Sequence, residues 1–379
     1  MPGTVSWDSL RELAAFQAKQ GCAISLYLDL DPSVTPTAGD MQSRLHSLLD
    51  GLHDAVGAQG LSHAAREGLR TDVDRIRRFI EQEFNRDGAH GLAVFCAGLD
   101  NFWSPLALTD SVPDAAKVGS EFYLAPLVPL VGRGEGAIVA AVGREQGRLY
   151  RLDGGRLREL VDNSVELPYG RHDQGGWSQA RYQRHVEELG KEHLRSVAEE
   201  LDQQVRRLGQ PRVVIVCSVE TKAELAEMLP SEARAAVVGW THAEAHATPA
   251  ELLEVVRPVL ESWREREEQK TVERWREEAG RNGRAASGWE ETLEAASDGR
   301  VEVLLYEDGT ERPAWKCPEC GRLAVKGGNC PLDGTRMEEQ ENGLDLAVHQ
   351  TLGHGGKAWA LQKVHDLEPV EGIGALLRY

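Results

Sequence analysis

The chain has 379 residues, with 61 Asp and Glu against 43 Lys and Arg, a formal charge of −18 and an isoelectric point near 5.2. That acidity excludes a broad basic coat for nucleic acid, and with it a DNA partner held by bulk charge. No run approaches the roughly 18–20 apolar residues needed to cross a bilayer, and the start, MPGTVSWDSLREL, has no basic stretch leading into an apolar core, so no membrane partner and a cytoplasmic location are expected.

In chain order, SLRELAAFQAKQ predicts an amphipathic helix, CAISLYLDL alternates as a strand does, and MQSRLHSLLDGLHDAV returns to helical spacing. TDVDRIRRFIEQEF predicts a further helix and GLAVFCAG a buried strand. The stretch VPDAAKVGSEFYLAPLVPLVGRGEG is mostly unpatterned, rich in Pro and Gly, and marks a domain edge near residue 130. Beyond it, GAIVAAVG, GRLYRLDGG and GRLRELVDNSVELP predict an antiparallel meander joined by tight glycine turns. From Gln179, apolar residues at Tyr182, Val186, Leu189, Leu194, Val197, Leu201, Val205 and Leu208 recur at three- and four-residue steps. They predict a long helix packed across the meander.

RVVIVCSV then predicts a strand, KAELAEML a helix, ARAAVVGW a strand, and TPAELLEVVRPVLESWREREEQKTVERWREEAGR a long helix opening at a Thr cap. The last hundred residues continue as helix GWEETLEAASDG, strand RVEVLLYED, helix GLDLAVHQTLGHGG and strand KAWALQKV. The expected fold is therefore α/β in three domains. Residues 1–130 form an N-terminal α/β domain. Residues 131–280 form a middle domain with a mixed sheet and long helices. Residues 281–379 form a C-terminal α/β domain with a zinc-ribbon-like insertion at 313–338.

Two segments carry chemistry. In the first, Gly175 and Gly176 precede a helix, where their freedom in φ brings backbone N–H groups close to a ligand. Arg171, Arg181 and Arg184 flank them against one aspartate, Asp173, and Arg181 and Arg184 share a helix face. Residues 131–210 are charge-balanced overall, so this is a small cationic finger suited to RNA phosphate on an otherwise acidic protein.

The order meander, GG-x-S-x-x-R-Y-x-R, long helix, strand–helix–strand resembles the middle domain of the eukaryotic and archaeal class I peptide release factors. Gly175, Gly176, Ser178, Arg181, Tyr182 and Arg184 match in register, and the hairpins of GAIVAAVGREQGRLYRLDGGRLREL have the spacing of that domain's opening strands. The N-terminal segment, with CAISLYLDLD, GLAVFCAG and FYLAPLVPLV, is closer to the bacterial release-factor-like (baeRF) branch, and the C-terminal unit with its ribbon resembles the third domain of the release factors and Pelota.

The resemblance implies a ribosomal partner, with Arg171, Arg181 and Arg184 on RNA and loop 175–179 at the peptidyl-transferase centre, where peptidyl-tRNA ester is hydrolysed. It further implies delivery by a translational GTPase. One position departs: the family's glutamine is Trp177 here, with Gln179 two residues on and Gln174 just before the glycines. The family's oxyanion donor is a main-chain N–H, which survives a change of side chain. The candidate catalytic set is Gly175, Gly176, Trp177 and Gln179, with Gln179 the amide that positions water or ribose. The rival reading is a non-catalytic hibernation or stress factor occupying the A site.

The second segment is Cys317-Pro318-Glu319-Cys320-Gly321, a metal knuckle whose C-x-x-C-G spacing turns two thiolates toward one cation. Its counterpart, Cys330-Pro331-Leu332-Asp333-Gly334, has Asp333 where a fourth cysteine would stand. Zinc accepts carboxylate oxygen, so a structural Cys317–Cys320–Cys330–Asp333 site is expected, with His349 and His354 as reserve ligands. His242 and His246 lack a third partner in sequence and are not read as a metal site.

Overall fold

The computed structural model describes all residues except 1–4, 59–61, 87, 132–135, 154, 166–176, 210, 245–246 and 363–365, together with the side chains of 53–58 and 177–183. The chain divides into two compact units, residues 1–131 with 267–379, and residues 132–266. Among the described residues, no helix is long and apolar enough to cross a membrane.

The N-terminal segment runs α1 (Trp7–Ala14), β1 (Ala23–Asp29), α2 (Ala38–Ala58), α3 (His63–Arg78), β2 (Gly91–Ala97), β3 (Phe102–Leu108) and β4 (Ala115–Gly119). Its antiparallel sheet has the order β3-β2-β1-β4. The alternation of CAISLYLDL predicts one wet face, yet six of the seven residues of β1 are buried. Ile24, Leu26 and Leu28 lie under α2 and α3, whereas Ala23 and Tyr27 join a second core that includes Trp289, Leu304 and Ala347 from the C-terminal segment. Burying each large side chain contributes roughly 1.5–3 kcal/mol, so covering the second face is a large gain.

The middle unit runs β5 (Ile138–Val142), β6 (Gly147–Asp153), β7 (Arg156–Asp162), α4 (Trp177–Arg207), β8 (Val213–Val216), α5 (Val219–Met228), α6 (Ser231–Ala236) and β9 (Val237–Thr241), and then enters α7 (Pro249–Gly280). The mixed sheet is ordered β7-β6-β5-β8-β9: the meander is antiparallel, and β5, β8 and β9 are parallel. Leu194, Val197, Leu201 and Val205 of α4 pack on Ile138, Leu149 and Ile215, which bears out the helix laid across the meander. Leu252, Val256 and Leu260 of α7 cover the other face. The cap of α7 is at Thr248, whose Oγ1 accepts the Glu251 N–H at 3.4 Å while the Glu251 carboxylate accepts the Thr248 N–H at 2.7 Å. The expected strand ARAAVVGW is a strand only from Val237; Ser231–Ala236 is helical, and Ala233 N–H donates to buried Asp202 at 3.0 Å.

The C-terminal segment contains β10 (Ala285–Ser287), α8 (Gly288–Ser297), β11 (Val301–Glu307), the ribbon strands β12 (Ala314–Lys316), β13 (Leu323–Ala324) and β14 (Glu338–Gln340), then α9 (Gly343–Gly353), β15 (Lys357–Leu361) and β16 (Ile373–Leu377). The main sheet is ordered β10-β16-β11-β15, with only β11 and β15 parallel. Buried Asp345 of α9 accepts the Leu124 and Ala125 N–H groups at 2.7 and 2.9 Å, tying the N-terminal segment to this one. Burial pushes its carboxyl upward, opposed first by His349 and then by those two amides. Residues 1–131 and 267–379 thus share one core.

Candidate functional site

The ribbon is built from two knuckles that repeat the same bonding. In the first, Cys317 N–H donates to Arg322 O at 2.8 Å and Gly321 N–H to Cys317 O at 3.0 Å. In the second, Cys330 N–H donates to Thr335 O at 2.7 Å and Gly334 N–H to Cys330 O at 2.9 Å. Gly321 and Gly334 both have φ of 76°, the left-handed conformation glycine adopts without cost and the reason each knuckle ends in glycine. Asp333 Oδ1 accepts the Thr335 N–H at 2.9 Å, the role the Arg322 amide gives to Cys320 in the first knuckle. Asp333 therefore stands in the second knuckle where Cys320 stands in the first, by bonding pattern as well as by spacing.

The four ligand atoms lie within 4.8 Å of one another. Cys320 Sγ is 3.5 Å from Cys330 Sγ, and Cys317 Sγ is 3.4 and 3.6 Å from the two Asp333 oxygens. A tetrahedral cation with metal–sulfur bonds of ~2.3 Å and a metal–oxygen bond of ~2.0–2.2 Å has edges of about 3.5–3.8 Å, so the cage is of the right size. The Thr335 amide, and after it the Cys320 side chain, hold the Asp333 carboxyl well below the usual carboxylate range, which keeps it an anionic donor. Cys317 and Cys330 are buried, Cys320 and Asp333 exposed. This Cys/Asp cluster can hold a metal ion.

His349 and His354 are not part of it: His349 Nε2 bonds Phe122 O and lies 3.7 Å from Asp345, and His354 Nδ1 meets Gln350 O at 2.8 Å. The ribbon is fastened by contacts that local sequence does not announce. Lys316, next to the first ligand, places Nζ 2.6 and 2.7 Å from the Glu121 oxygens, and Leu323 N–H donates to Ser297 Oγ at 2.9 Å.

Of the double-glycine segment, the described residues begin α4. Gly175, Gly176 and Arg171 lie outside the described residues. The backbone of Trp177, Gln179 and Arg181 is helical, placing Trp177 and Gln179 in the first turn, and their side chains lie outside the described residues. Arg184, three residues beyond Arg181 and on the same face, is exposed. The first N–H groups of a helix have no intrahelical carbonyl and sit at the positive end of its dipole, so the backbone at Trp177–Gln179 suits an anionic or developing-oxyanion ligand.

The remainder of α4 fixes where that end points. A Cβ on Gly147 of β6 would lie 2.6 Å from Val197 Cγ2 and 3.0 Å from His193 Cε1, so glycine is what lets helix and sheet approach this closely. Arg206 braces the far end between Asp202 and Glu232 at 2.7 and 3.2 Å.

A meander, a long helix whose first turn follows a double glycine, and a parallel strand–helix–strand on the same sheet make up the middle unit. Residues 123–261 match the profile of Bacterial archaeo-eukaryotic release factor family 10, and the expected kinship with the bacterial release-factor-like proteins is thereby borne out. The chain is homologous to peptide chain release factor subunit 1 of Archaeoglobus fulgidus, with 24% identity over 88% of this chain and 84% of that protein. It is 30% identical to the eukaryotic peptide chain release factor subunit 1 of Oxytricha trifallax over 61% of this chain and 54% of that protein. Among solved structures it is similar to a model of ribosome-bound archaeal Pelota and ABCE1, with a TM-score of 0.43 and 12% identity over 100% of this chain and 95% of that one.

Proposed function

We propose that the protein is a ribosome-associated release-factor-like factor of the cytoplasm that inserts the segment Gly175-Gly176-Trp177-Ser178-Gln179 at the peptidyl-transferase centre and hydrolyses the peptidyl-tRNA ester on stalled ribosomes. The observation that supports this reading is that the double glycine, Ser178, Arg181, Tyr182 and Arg184 keep the register of the release-factor motif where α4 begins, within the segment that matches the release-factor family profile.

In this reading water adds to the ester carbonyl, the oxyanion is held by main-chain N–H groups at the head of α4, and the bond to the tRNA 3′ oxygen breaks to give free peptide and deacylated tRNA. No side-chain base is required, because positioning and oxyanion stabilisation each contribute several kcal/mol in a preorganised site. Arg171, Arg181 and Arg184 hold rRNA or tRNA backbone, Gln179 orients water or ribose, and a translational GTPase delivers the protein. The ribbon carries a structural zinc on Cys317, Cys320, Cys330 and Asp333, without a catalytic part.

Peptide release and ribosome co-sedimentation, measured together on purified stalled ribosome–nascent-chain complexes, test the reading. Release by the wild type, lost in Gly176→Ala and reduced in Gln179→Ala with binding retained, is the expected result. Firm binding without release by the wild type would instead establish the non-catalytic, A-site-occupying rival.

A further inference from the structure

The middle unit contains a cleft of about 420 Å³ outside the carboxyl ends of β5, β8 and β9. Its position follows from topology. The chain leaving β8 enters α5, whose Leu225 joins the core under α4, whereas the chain leaving β9 enters α7, whose Leu252 joins the core on the opposite face. Where adjacent parallel strands send their following helices to opposite faces, a crevice opens at the strand ends, and open α/β sheets hold their ligands there. The volume falls in the range of about 300–1,000 Å³ that small-molecule sites occupy.

The lining narrows the chemistry. Val142, Val216 and Leu252 supply the apolar part of the lining; its charged members are Glu220, Glu244 and Arg144, whose guanidinium is engaged 3.2 Å from Glu224, with His242 beside them. The seat for a phosphate would be the N-terminus of α5, as in dinucleotide-binding folds. Here that seat belongs to the chain itself: Ser218 Oγ accepts the Thr221 N–H at 3.2 Å, and the Glu220 carboxylate is held by its own amide and by the Ser218 hydroxyl. The turn Cys217-Ser218-Val219 also lacks the glycines that let a backbone approach a pyrophosphate. What the cleft still offers is an apolar slot beside Glu244, a carboxylate just past the end of β9, where an acidic residue meets ribose hydroxyls in nucleotide-binding crevices.

We propose that this cleft binds a nucleoside, with the base over Val142, Val216 and Leu252 and the ribose hydroxyls donating to Glu244, and that Glu220 repels the phosphate of a nucleotide. A ring fills the slot without needing charge, and a diol satisfies a carboxylate that accepts but cannot donate.

Isothermal titration calorimetry of the full-length protein with adenosine, uridine and AMP tests the proposal. The expected result is saturable binding of at least one nucleoside, weakened about tenfold by Glu244→Gln, as for loss of one hydrogen bond to a charged group. AMP is expected to bind at least about tenfold more weakly than adenosine, a gap that narrows in Glu220→Gln as the like-charge repulsion is removed. Both substitutions are at exposed side chains, and an unchanged circular dichroism spectrum shows that the fold is kept. Absence of saturable binding by either nucleoside, wild-type AMP binding as tight as adenosine, or unchanged affinity in Glu244→Gln would each overturn it.

Discussion

The ribbon and the middle sheet solve the problem of staying folded in opposite ways. The middle sheet is covered on both faces, by α4 and α5 on one and α7 on the other, and its central strands are fully buried. The ribbon's own buried cluster is Cys317, Cys330 and Met337, two of which belong to the Cys/Asp cluster. A cluster that small cannot by itself offset the ordering entropy of the ribbon, and the four side chains that could hold a metal ion lie where a core would otherwise be. The lesson is one of division: the unit that carries the double-glycine segment rests on packing, and the Cys/Asp cluster lies in a separate element.

The largest expected effect breaks the ribbon alone. Cys317→Ser is expected to abolish stoichiometric zinc in elemental analysis and to open residues 313–338 to limited proteolysis, while fragments of the middle sheet stay protected. Ile215→Ala, in a strand with no exposed side chain, should do the reverse. It is expected to cost ~2–5 kcal/mol in denaturant unfolding and to leave the zinc content unchanged. Gly147→Ala sharpens the same side of the comparison. The added methyl must displace Val197 or His193, with an expected loss of ~1–3 kcal/mol and a shift of the α4 start that lowers any peptide release further.

The smallest effect is on pH dependence. The Arg274 side chain, 2.8 Å from Glu302, is the main cause holding the Glu302 carboxyl below its usual value. A depressed carboxylate stabilises above its unfolded pKa of ~4.3, and that stabilisation is lost as pH falls through the folded value. Arg274→Met is therefore expected to lower the melting temperature slightly at neutral pH, where the pair contributes, and to flatten its fall below about pH 4.3, where variant and wild type converge.

Much of the fold was legible because local patterns agreed with global packing. The spacing of Leu194, Val197, Leu201 and Val205 announced α4, and glycine turns announced the meander. β3 was not, because FWSPLAL contains a proline, tolerated only because β3 is an edge strand of its sheet. β4, Ala115–Gly119, is small and polar enough to read as loop. β16 hides behind Gly374, where the Trp275 indole approaches so closely that a Cβ would lie 2.8 Å from Nε1.

At the sites the same division holds. The clustering of Cys317, Cys320, Cys330 and Asp333 was legible from C-x-x-C-G and its C-x-x-D-G echo, since a knuckle is a local structure. The Lys316–Glu121 pair spans 195 positions and was not. The cleft was invisible for a similar reason: its residues follow three separate strands and converge only through the parallel order of the sheet.

The central claim is that the head of α4 delivers peptide release although Trp177 stands where the release factors have glutamine. Single-turnover release of labelled peptide from stalled ribosomes at saturating protein tests it most directly. The account predicts release by the wild type that falls by at least about a hundredfold in Gly176→Ala, the scale of losing an oriented oxyanion donor. Wild-type release no faster than buffer, on ribosomes shown to be occupied, would contradict it.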